Sequence, residues 1–72
     1  MSFQAYLDNV EARTGKSADA LRTEAIGKGL ADEQGLAPGV KAGAVIEWLK
    51  QDYDLGHGHA MSIVAYLKGK RS

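Results

Sequence analysis

The chain has 72 residues, 44% of them hydrophobic and 25% charged, with nine basic residues balanced by nine acidic ones and no cysteine. This composition fits one ordinary globular domain that is too apolar to stay disordered, yet so small that folding buries only roughly 60% of its unfolded surface. An enclosed active site is therefore disfavoured, disulfides and thiolate zinc sites are excluded, and zero net charge gives no overall pull toward nucleic acid or an anionic membrane.

Phe3, Tyr6, Leu7 and Val10 repeat at helical spacing, with Ser2 placed to cap and Gly15 placed to end the run, so a helix is expected over about residues 3–14. Ser17 starts a second helix, about 18–28, whose stripe is Ala18, Leu21 and Ala25 and whose first turn carries Asp19 where the helix dipole favours an anion. Residues 30–39 contain Gly, Pro and an acidic pair without sustained periodicity, and read as one long loop. Ala42, Val45, Ile46, Leu49 and Tyr53 form the clearest stripe and predict a third helix over about 41–53, with Trp48 on its margin. After a tight connector at 54–58, Ala60, Ile63, Val64 and Leu67 predict a fourth helix over about 59–68, leaving 69–72 as a free tail. Nowhere do four or more residues alternate at period two, so no strand is expected. The expected fold is all-α: a small four-helix, bundle-like single domain spanning 1–72. No apolar run approaches the roughly 18 residues of a membrane span, and Met1-Ser2-Phe3-Gln4 lacks the basic-then-apolar start of a signal peptide, so a cytoplasmic protein without membrane contact is expected.

Gly39-Val40-Lys41-Ala42-Gly43, then Trp48-Leu49-Lys50, Asp52 and Leu55-Gly56-His57-Gly58-His59-Ala60-Met61 fall in a fixed order, behind the opening Met1–Leu7 and Thr14-Gly15-Lys16. In that order and spacing the chain resembles, over nearly its whole length, a family of short bacterial helical domains catalogued only as a domain of unknown function. The resemblance implies a compact helical domain in the bacterial cytoplasm. It brings no activity, cofactor or partner with it.

The sharpest local feature is Gly56-His57-Gly58-His59. Two glycines at a helix start allow tight turning and leave N–H groups open, so a phosphate or carboxylate could sit there with imidazole assistance. The plainer reading is a helix-to-helix turn in which Gly56 takes the left-handed C-cap position, Gly58 relieves crowding and the histidines cap backbone groups or lie half exposed. A metal pair at His57 and His59 falls short of the three or four ligands stable zinc requires, and Ser62, three residues after His59, has no evident orienting carboxylate. Gly39-x-x-x-Gly43 with Lys41 could cradle an anion but lacks the rest of a nucleotide-binding loop; close helix packing is the plainer reading for Gly43. Trp48, near Glu47 and Lys50, reads either as an exposed stacking surface or as cover for the core edge. Lys68, Lys70 and Arg71 beside Tyr66 make a basic end that suits a helix C-terminus.

The leading expectation is a non-enzymatic binding module whose helix three to helix four hairpin presents Lys41, Trp48, Lys50 and the Gly56–His59 turn to a protein or small anionic ligand, with no cofactor. Self-association through margins at Phe3, Trp48 and Tyr66 is an open possibility. The alternatives are a nucleic-acid-binding module, which needs a basic face on helix four, and a small enzyme using His57 or His59 as general base, which needs a cleft. The charge is unevenly divided: residues 1–36 hold four basic and six acidic residues (−2), and 37–72 hold five basic and three acidic (+2).

Overall fold

The computed structural model describes residues 2–71. Ser2 accepts from the Ala5 N–H at 3.2 Å and opens α1 (Phe3–Thr14), which ends where Gly15 turns left-handed at φ 76°. Ser17 caps α2 (Ala18–Gly27) in the same way, accepting from Ala20 N–H at 3.1 Å. These two capped starts and the glycine stop follow the local chemistry directly, because each satisfies backbone groups that a helix end leaves open.

The segment expected to be a loop contains a short antiparallel hairpin. Strand β1 (Ala31–Asp32) pairs with β2 (Gly35–Leu36) in the register Ala31 opposite Leu36 and Asp32 opposite Gly35. The Asp32 carboxylate accepts from the Gln34 N–H at 2.8 Å and shapes the turn. Two-residue strands are too short to show alternation, so the expectation of an all-α chain without strands is corrected to a mostly helical fold with a small sheet. Gly35 lies against the backbone of Leu67 and Lys68 with a conformation that suits glycine. At φ 139° it adopts a conformation other residues rarely reach, and a Cβ there would lie 3.7 Å from the Lys68 Cα and 3.8 Å from the Leu67 carbonyl oxygen.

The third helix, α3 (Ala42–Tyr53), matches its predicted span to within a residue, and its stripe buries Val45, Trp48 and Leu49. Its end differs from expectation. Asp54, not Gly56, takes the left-handed position (φ 56°), and its N–H reaches the Lys50 carbonyl at 3.0 Å. Aspartate tolerates this region better than most residues, and the turn delivers Leu55, 2% exposed, into the core. Gly56 instead has extended backbone (φ −68°, ψ 161°) and is the N-cap of α4 (His57–Leu67), which begins two residues earlier than predicted.

Helix α4 is the centre of the molecule. It buries Ala60, Ser62, Ile63, Val64, Tyr66 and Leu67 and packs against α1, α2 and α3. A helix covered on several sides needs apolar residues beyond one stripe, which is what this segment supplies. Leu21, Leu49, Ile63, Val10 and Val45 are the largest wholly enclosed side chains and join all four helices in one core. The Cα radius of gyration is 10.8 Å, against about 11 Å for a well-packed chain of this length, so no helix stands away from the core.

The expected free tail is also corrected as far as residue 71; Ser72 lies outside the described residues. Lys70 N–H donates to the Ala65 carbonyl at 3.0 Å, and Arg71 Nη1 donates to the Tyr66 carbonyl at 2.9 Å.

Candidate functional site

The first turn of α4, like that of α3, has no side-chain cap, where α1 and α2 each have a serine. Gly56, His57 and Gly58 are all exposed. Gly56 serves as the N-cap, a position that suits glycine, but neither left-handed backbone nor crowding accounts for the pair. Neither Gly56 nor Gly58 has positive φ, and a Cβ built at either position would meet nothing within 4 Å. The expectations that Gly56 would be left-handed and that Gly58 would relieve crowding are both corrected. What the turn presents is a set of first-turn N–H groups at the positive end of a helix dipole, none of them capped by a side chain.

His59 lies behind this turn, half-buried, with its ring edge-on to Tyr6 of α1 at 5.5 Å between centroids and 65° between planes. Its Nε2 is shielded from solvent and has no hydrogen-bond partner, a state that is costly for a polar atom. His57 stays in solvent. Ser62 does not address the imidazole: its hydroxyl donates to the His59 carbonyl at 2.6 Å, so its proton is engaged by backbone. Among the described residues no three His, Cys, Asp or Glu side chains gather where they could hold a metal ion.

The remaining candidates separate. Lys41 is exposed at the N-cap of α3, again without a side-chain cap, and Lys50 is exposed in its last turn. Gly43 was expected to permit a close helix crossing, but it is exposed and open on all sides, so packing does not account for it. Trp48 follows the core-edge reading and not the stacking one. It is 8% exposed and belongs to the core, with its indole Nε1 buried and unpartnered and its ring edge-on to Tyr53 at 6.1 Å. A buried indole cannot offer a stacking face to a base or a partner.

Two polar contacts escaped the sequence reading. Tyr53 donates from its hydroxyl to Glu24 Oε2 at 2.6 Å, and the same oxygen lies 3.7 Å from the Lys16 ammonium. Tyr66 donates to the Asp19 carboxylate. Burial, reinforced by the Glu24 carboxylate, pushes the Tyr53 hydroxyl up to about 12. The Tyr66 hydroxyl is also raised, chiefly by its hydrogen bond to Asp19 and then by burial, against the opposing charges of Arg71 and Arg22. Tyr66 and Asp19 line a half-open groove of about 180 Å³ between α1, α2 and α4, rimmed by Asp8 and Glu11 over a floor of Leu7 and Ala18. Spacing along the chain gave no sign of these pairs, because each joins residues 29 or 47 positions apart.

Together these features define a small, mostly helical domain that offers shallow polar surfaces and, among the described residues, no helix long and apolar enough to cross a membrane. The chain belongs to the family described as Domain of unknown function (DUF4287), which matches residues 2–69. No curated protein and no solved structure matches it.

Proposed function

We propose that this domain is a non-enzymatic binding module that presents the α3–α4 hairpin, and above all the Gly56–His59 turn, to the anionic group of a small ligand or protein partner. The observation that carries this reading is Gly58. Glycine in a helix is disfavoured by roughly 1 kcal/mol relative to alanine, and here neither backbone conformation nor packing requires it. A ligand that must approach the first-turn N–H groups closely does require a residue without a side chain. Lys50 is the nearest cation on α3 in sequence, and the mildly basic second half of the chain favours the same sign of ligand. Trp48 takes no part, because it is buried. The resemblance to bacterial domains favours a bacterial cytoplasm as its place of work.

A nucleic-acid reading gains no support from α4, whose sequence His57–Leu67 contains no Lys or Arg to meet phosphates along its length. The test is an amide chemical-shift titration with inorganic phosphate, zinc chloride, short DNA and short RNA. The proposal expects phosphate to move the resonances of residues 56–61 saturably. If all four leave that turn unmoved, the anion-binding reading is wrong.

A further inference from the structure

The groove between α1, α2 and α4 lies toward the opposite end of α4 from the Gly56–His59 turn, since Tyr66 in its wall belongs to the last turn of that helix. Its floor is apolar and is formed by Leu7 and Ala18, both buried. Carboxylates reach it from two helices: Asp8 and Glu11 are three residues apart and share a face of α1, and Asp19 stands in the first turn of α2. All three are exposed, and the donors that two of them have are neutral. The Gln4 amide donates to Asp8 Oδ1 at 3.0 Å, and the Tyr66 hydroxyl donates to Asp19. Among the described residues the one side-chain ion pair is Lys16 with Glu24, so no cation pairs with Asp8, Glu11 or Asp19. Arg22 and Arg71 act on the Tyr66 hydroxyl through space, but neither pairs with Asp19.

Size and charge together narrow what fits. A volume of about 180 Å³ is well below the roughly 300–1,000 Å³ of pockets that enclose a metabolite or cofactor, and suits a single side chain. Among the described residues the carboxylates do not gather closely enough to hold a metal ion, so their spacing suits a larger, organic cation. A lysine or arginine side chain has the two matching parts, an aliphatic stem to lie on the apolar floor and a charged head to reach the acidic rim. Because the groove is half-open, such a side chain enters from a partner's surface while the partner's backbone stays outside. Three carboxylates of one sign around the mouth also draw a basic segment toward it.

We infer that this groove is a docking site for a lysine or arginine side chain carried by a basic segment of a protein partner. It differs from the Gly56–His59 turn in both place and sign, so it does not depend on what that turn binds. The carboxylates are solvent-exposed, which makes the contact weak and salt-sensitive.

Amide chemical-shift titrations of the full chain test this, with a blocked Gly-Arg-Gly-Arg-Gly peptide as probe and Gly-Gln-Gly-Gln-Gly as its neutral counterpart. The arginine peptide should move the resonances of Leu7, Glu11, Ala18 and Asp19 saturably, leave residues 56–61 in place, and bind more weakly as sodium chloride is raised. Asp8→Asn and Glu11→Gln should each weaken it roughly two- to fivefold, with the Leu49 amide at its native position as the sign that the fold is kept. No saturable shift in the groove, equal affinity for the neutral peptide, or unchanged affinity in both variants would overturn the docking site. So would spermidine binding the groove more tightly than the peptide, which would assign it to a free amine.

Discussion

Gly43 and Gly35 show how differently one residue type can act in a single small domain. Gly43 sits in the first turn of α3 with open space around it, so Gly43→Ala should stabilise the protein by about 0.5–1 kcal/mol, measured by denaturant unfolding. Gly35 is buried at φ 139°, a conformation L side chains rarely adopt, and Gly35→Ala should cost about 1–3 kcal/mol by the same measurement through backbone strain, since a Cβ there would meet the Lys68 and Leu67 backbone only at ordinary contact distance. From sequence alone both glycines were loop or packing residues; only the backbone conformation reveals which one the fold needs. Trp48 carries the same lesson. Its margin position on the α3 stripe was legible, but whether a margin faces solvent depends on what packs over it, and here the ring is covered and edge-on to Tyr53. His59 likewise was a recognisable candidate, while its shielded Nε2 and its contact with Tyr6 depend on how α1 crosses α4.

At the scale of elements, α2 is the helix most dependent on polar contacts. It is ten residues long, and two tyrosines from other helices hold it, Tyr53 of α3 on Glu24 and Tyr66 of α4 on Asp19. Tyr53→Phe should cost about 1–2 kcal/mol, since a hydrogen bond to a charged acceptor is lost while the ring is kept. These contacts also predict alkaline sensitivity. The fold favours the protonated tyrosines, with Tyr53 raised from 10.0 to about 12, so their contribution is complete below pH 10 and is lost as pH rises from 10 toward 12. Unfolding curves measured across that range should show a fall in stability that is smaller in Tyr53→Phe; equal falls would assign the effect to other groups. The helix spans were readable because Ser2, Ser17 and Gly15 act locally and the apolar stripes repeat. The hairpin was not, since two-residue strands carry no period, and the α3–α4 corner was misread because an aspartate took the left-handed position that a glycine two residues later was available to fill.

The whole molecule rests on α4, which touches the other three helices and contributes six of its residues to the buried interior. A domain of this length has roughly 4–11 kcal/mol of stability in total, and Ile63→Ala, at a position 0% exposed, should remove about 2–5 kcal/mol of it. Thermal unfolding should therefore drop by many degrees or leave no cooperative transition. The same central helix begins in solvent at Gly56-His57-Gly58, with open space beside both glycines. A family of unknown function matched over residues 2–69 supplies no ligand to decide what that exposed end is for. The most direct measurement is the stability and phosphate affinity of the native chain beside Gly58→Ala. The binding account predicts that the variant is more stable by about 0.5–1 kcal/mol and binds phosphate at least several-fold more weakly. A variant that gains stability and binds phosphate as the native chain does, or a native chain that does not bind it, would contradict the account.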